Sequence, residues 1–97
     1  MYLDLYNQDV LEGYIKELIK NNEIWRFYKR REWLDLREEV LIEAHYECSI
    51  CKAKGKITRA TIVHHNNFVR NHPRLALSKY YYWQGKRYRN LIAVCHY

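Results

Sequence analysis

A chain of 97 residues is long enough for one small domain and too short for two independent cores. With 48% hydrophobic and 29% charged residues, and ten tyrosines beside three tryptophans and two phenylalanines, the composition excludes a disordered or fibrous chain. The net charge of +6 is lopsided. Every acidic residue precedes Cys48, whereas Lys52, Lys54, Lys56, Arg59, Arg70, Arg74, Lys79, Lys86, Arg87 and Arg89 follow it. That asymmetry suits a polyanion such as nucleic acid, although net charge alone also fits a solvated basic face.

In chain order, Val10, Leu11, Tyr14, Ile15, Leu18 and Ile19 recur at helical spacing, predicting an amphipathic helix over 9–20 that stops at Asn21-Asn22. Trp25, Phe27 and Tyr28 lead into a second predicted helix over 31–46 and are expected to pack beneath both. Its apolar side carries Trp33, Leu36, Val40, Leu41 and Ala44. At Cys48 the character changes: Cys48-Ser-Ile-Cys51 followed by Gly55 reads as a knuckle closing in a glycine turn. A β-branched run predicts a strand over 57–65, and Asn90-Leu-Ile-Ala-Val-Cys95 predicts its partner. Between them, 66–89 reads as a long irregular connection, of the length that usually carries function or disorder.

Three features carry chemistry. Two thiolates two residues apart can chelate one ion from a tight turn, and zinc prefers four such donors in a tetrahedron. Cys95 offers a third thiol from a strand end. A thioredoxin-type redox motif would need a strand before the pair and a helix after it. The odd cysteine count and the lack of a basic, then apolar, leader argue against a disulfide framework and for a reducing cytoplasm. His64 and His65 are adjacent on a predicted strand, so they point to opposite faces and can hold different tasks. One can bind a cation while the other accepts a proton from water; two structural histidines at a strand end are the alternative. Asn90 stands shortly before Cys95, where it can fix a loop or serve as ordinary turn chemistry.

In this order and spacing the features resemble the HNH endonuclease family, specifically its short phage-type members. The resemblance runs from Phe27 to the last residue. It rests on Phe27-Tyr28-Lys29, Trp33, Tyr46-Glu47-Cys48-Ser-Ile-Cys51, Gly55-Lys56, Ala60-Thr-Ile-Val63-His64-His65, Pro73-Arg-Leu75-Ala76-Leu77, Asn90-Leu91 and Val94-Cys95-His96. It implies an α+β fold: N-terminal helices over 1–26, then over 27–97 a ββα-metal (His-Me finger) module with a cysteine-type zinc knuckle. The family pattern continues beyond Cys95-His96 with a further cysteine, a histidine and a short helix, so the expectation is a module whose final helix and C-terminus are missing. His45 or His96 could replace the fourth zinc donor, and His72 could reach the cation. Arg30 stands where relatives often carry a helix-capping serine.

The resemblance also implies roles. His65 matches the general base, His64 a ligand to a catalytic divalent cation (Mg²⁺, Mn²⁺ or another), and Asn90 the residue that holds the loop and base. Cys48, Cys51 and Cys95 match structural Zn²⁺ ligands. DNA is the implied partner, gripped by Arg70, Lys86, Arg87 and Arg89 with Tyr80 to Trp83 stacking on bases or packing on the strands. The implied setting is a bacterial host cytoplasm, with a connection to phage packaging proteins and none to a membrane. Two other readings stand beside this one. The first is a zinc-stabilised nucleic-acid-binding module without catalysis, and the second a small interaction or toxin-like protein built on the first helix.

Overall fold

A computed structural model describes residues 3–95. Helix α1 spans Gln8–Lys20 and opens on Asn7, whose side chain accepts from the N–H groups of Asp9 (2.9 Å) and Val10 (3.2 Å). That cap satisfies two of the helix's otherwise unpaired donors. The helix ends where Asn22 turns left-handed (φ 59°). Glu23 N–H then reaches back to the Leu18 carbonyl (2.7 Å) and Asn22 N–H to Ile19 (3.1 Å). After the intervening residues 21–24 the chain makes a short helix, α2 (Trp25–Tyr28), and then α3 (Arg31–Glu43).

Helix α3 is shorter than its apolar periodicity predicts. His45 and Tyr46 both take left-handed backbone (φ 54° and 55°), and their N–H groups bond to the carbonyls of Ile42 and Leu41 at 2.9 Å. Asymmetric capping thus ends the helix before its hydrophobic pattern does. Arg30 stands at the start of α3 without a side-chain cap and instead holds Glu32 through two bonds of 3.1 Å.

Strand β1 (Ile62–His65) follows a short helix, α4 (Ser49–Ala53), and β4 (Leu91–Val94) returns antiparallel to it. The register pairs Ile62 with Val94, Val63 with Ala93, His64 with Ile92 and His65 with Leu91. Between these strands lie a 3₁₀ turn over Pro73–Leu75 and a hairpin of β2 (Tyr80–Trp83) with β3 (Lys86–Arg89). The expected strand over 57–65 is therefore only its second half; Ile57 is exposed. The 66–89 connection is not irregular throughout, since the hairpin occupies its second part.

One core holds these parts together. Leu5, Leu11, Ile15 and Leu18 from the first segment share it with Phe27, Trp33, Val40, Val63, Leu91 and Ala93. The 26/27 boundary therefore divides no core. Phe27 is fully buried, as expected, but Trp25 lies on the surface, with Arg26 and Lys29 over its ring. No helix among the described residues is long and apolar enough to cross a membrane.

Candidate active site and metal knuckle

Strand β1 alternates, so Ile62 and His64 face outward while Val63 and His65 face the core. His65 is only 8% exposed. Its ring lies nearly parallel to Trp33 (centroids 4.8 Å apart, 22° between planes) and edge-on to Tyr28 at 6.3 Å. Its Nε2 lies 2.9 Å from the Ala76 carbonyl oxygen. A carbonyl can only accept, so in the neutral ring Nε2 carries the proton and Nδ1 keeps a free lone pair. Burial pushes the His65 pKa below its usual value and the nearby His64 adds to this, while the Ala76 contact opposes them. The ring is thus restrained on two sides, and its surroundings favour the neutral form with the proton on Nε2.

What holds Ala76 in place is Asn90, which is fully buried and uses every polar valence of its amide. Its Nδ2 donates to the carbonyls of Leu75 (2.9 Å) and Ser78 (2.8 Å), on either side of Ala76. Its Oδ1 accepts from the backbone N–H and side-chain Nδ2 of Asn67, both at 3.0 Å. Asn90 therefore fastens both ends of the loop that runs from His65 to Ser78. Asn90→Ala is expected to lower stability by about 3 kcal/mol in urea unfolding, because it leaves the Ser78 carbonyl and the Asn67 N–H without partners and takes one of two donors from the Leu75 carbonyl. Asn90→Asp should be no milder, since a carboxylate would face the same two carbonyls. A loss within about 0.5 kcal/mol for either variant would contradict this reading.

His64 is exposed, with its ring edge-on to Phe68 at 6.4 Å. Both histidines line a cavity of about 530 Å³, together with Tyr28, Ile62, Phe68 and Arg70. No carboxylate lines it among the described residues, and His72 lies elsewhere, beside Glu12 and Arg74. His64 and His65 are thus the imidazoles this cavity offers to a cation or a proton.

The three thiols meet at one point. Cys48, Cys51 and Cys95 place their sulfurs within 4.8 Å of one another, and Cys51 and Cys95 are 3.7 Å apart. Tetrahedral zinc with bonds of about 2.3 Å would set neighbouring sulfurs about 3.8 Å apart, so the donor set fits. Cys48 begins α4, and its sulfur accepts from Cys51 N–H at 3.4 Å. That backbone donor is the main reason its pKa falls to about 7. Loss of solvation, then the neighbouring sulfurs, push Cys95 up to about 11. A cation between them would favour the thiolate form of all three sulfurs. His45 is no member of this cluster and serves as a helix terminator; His96 lies outside the described residues.

The basic residues divide. Arg70 stands exposed at the cavity, and Lys86 and Arg87 are exposed on β3. Arg89 is engaged internally, by the Leu91 carbonyl (2.8 Å), the Tyr80 hydroxyl (2.9 Å) and Glu43 (3.4 Å). Trp33, Ala76 and Asn67 complete the histidine site. Trp33 was a landmark of the resemblance without a role at the site, and Asn67 carried only the signal of an Asn-Asn pair after the histidines.

No protein-family model and no curated protein matches the chain. Among solved structures, the manganese-bound crystal structure of the HNH endonuclease of the deep-sea thermophilic bacteriophage GVE2 matches with a TM-score of 0.63 and 31% identity. The match covers 86% of this chain and 79% of the phage enzyme. With that identity over that much of both chains, and with the histidine pair, asparagine and thiol cluster brought together on one fold, the chain belongs to the HNH endonuclease family.

Proposed function

We propose that the protein is a divalent-metal-dependent DNA endonuclease in which His65 is the general base. The observation that carries this reading is the chain of contacts from Asn90 through the Ala76 loop to His65, which leaves Nδ1 as the available lone pair. A neutral imidazole held in one orientation takes a proton from water as that water attacks a phosphodiester. His64, on the other face of the strand, would be the protein's ligand for a catalytic cation. When bound, such a cation polarises the phosphodiester and stabilises charge on the leaving oxygen.

Cys48, Cys51 and Cys95 hold structural zinc in this reading. Arg70, Lys86 and Arg87 contact phosphates, while Arg89 acts indirectly by fixing the hairpin. DNA in a bacterial host cytoplasm is the substrate, and the link to packaging proteins rests on family resemblance alone. The burial of His65 favours one alternative, a zinc-stabilised DNA-binding module with structural histidines. Incubating the zinc-loaded protein with supercoiled plasmid separates the two. Nicked or linear product that requires added Mn²⁺ or Mg²⁺ supports the nuclease. Retention of the DNA without cutting at any divalent-ion concentration supports the module.

A further inference from the structure

The β2–β3 hairpin has more aromatic surface than its own folding requires. Its register places Tyr80 opposite Arg89, Tyr81 opposite Tyr88, Tyr82 opposite Arg87 and Trp83 opposite Lys86. Near the base these pairs stabilise the ribbon: Tyr81 stacks on Tyr88 with centroids 5.5 Å apart, and Arg87 and Arg89 lie 4.3 and 4.9 Å from the Tyr80 ring. Lys79 and Arg89 then tie the base of the hairpin to Glu39 and Glu43 of α3. At the tip that explanation is incomplete. Trp83 tilts against Tyr88 at 6.4 Å yet stays 58% exposed, Tyr82 is 75% exposed, and neither is buried against the core.

We propose that this tip stacks on unpaired DNA bases, with Tyr82 on one face of the ribbon and Trp83 on the other, and directs the nuclease to DNA with a single-stranded stretch beside the cleavage point. The proposal rests on the nuclease reading for its substrate. Charge identifies a polyanion, since no acidic residue occurs from Cys48 onward. Ring chemistry then selects the form of DNA. Tyrosine and tryptophan faces stack on any base whose own face is free, whereas an intact duplex must first be unstacked to offer one. A ribbon reading the edges of paired bases would need a free Arg, Asn or Gln on its groove-facing side. Arg87 shares the Tyr82 face, but its guanidinium lies 4.3 Å from the Tyr80 ring, so the tip offers the Tyr82 and Trp83 rings instead.

The hairpin leaves and rejoins the body where Asn90 N–H bonds to the Lys79 carbonyl at 2.7 Å, beside the loop that holds His65. Four residues per strand give the tip a reach of about 13 Å, on the order of four stacked nucleotides.

Binding is tested on zinc-loaded protein carrying His65→Ala, so that DNA survives the measurement. Fluorescence anisotropy compares a labelled thymidine oligonucleotide with a duplex of the same length at one ionic strength. Adding Tyr82→Leu and Trp83→Leu keeps apolar bulk and removes both aromatic faces. The single strand should bind about tenfold more weakly to this variant, and the duplex should lose less than about twofold. Trp83→Phe should retain most of the single-strand affinity, whereas Lys86→Ala with Arg87→Ala should weaken both ligands alike. Equal losses on both ligands with the leucine pair, or none on either, would overturn the proposal. Unchanged melting of the leucine pair excludes a folding defect, and Trp83→Phe tests the same point if that pair melts early. Selective single-strand binding by a wild-type protein that never cuts plasmid would retire the nuclease reading and leave base stacking at the tip standing.

Discussion

Cys48→Ser is expected to lower the melting temperature by on the order of 12–24 °C, and removal of zinc by a chelator should bring the wild type to the same place. A small domain has little core to spare, and the knuckle joins α4 to the end of β4, two elements far apart in sequence. Zinc in cysteine knuckles contributes about 10–16 kcal/mol of apparent binding energy in isolated peptides. The share visible as folding stability is smaller, because unfolded thiols bind metal too. A loss of about 3 kcal/mol gives the stated shift for a domain of this size. Serine at a fully buried position, with one thiolate fewer, cannot restore it. Circular dichroism melts with and without chelator make the check. Superimposable wild-type curves would show that the thiol cluster contributes no metal-derived stability.

His65→Ala should reduce plasmid cleavage at saturating divalent ion by about 10²–10⁴-fold, the usual contribution of a positioned general base. Its effect on melting should be far milder than that of Cys48→Ser. The ring loses its stack on Trp33 and the Ala76 carbonyl loses one donor, but Asn90 still fastens Leu75 and Ser78. A rate unchanged within about threefold would remove His65 from the base role.

The parts of the fold legible in the sequence were those with a single dominant signal. The 9–20 region combines one apolar stripe with an Asn-Asn stop, and α1 follows it closely, opening one residue earlier behind the Asn7 cap. Strand β4 was legible as an unbroken apolar run, and the thiols by their spacing. The hairpin was not, for two physical reasons. Tyr80-Tyr81-Tyr82-Trp83 is aromatic at every position, so it lacks the apolar–polar alternation that marks a half-buried strand. Its turn is Gln84-Gly85, both left-handed (φ 50° and 76°), and glutamine does not announce such a turn as asparagine or aspartate would.

At the site, the residue types at 64, 65 and 90 suggested a division of tasks, but the acceptor that fixes the His65 ring is a main-chain carbonyl of Ala76. No side-chain pattern encodes a carbonyl's direction. Trp33 was placed on the apolar side of its helix, and only packing shows that its ring covers a histidine rather than another apolar group.

In the proposed mechanism two adjacent histidines on opposite faces of one strand divide the chemistry, His64 holding metal and His65 moving a proton. Plasmid nicking across a Mn²⁺ series for wild type, His64→Ala and His65→Ala tests it most directly. His64→Ala should need at least about tenfold more Mn²⁺ to reach half its maximal rate. His65→Ala should keep the wild-type Mn²⁺ dependence while its maximal rate collapses. The reverse pattern, or both variants losing maximal rate with unchanged metal dependence, would contradict that division.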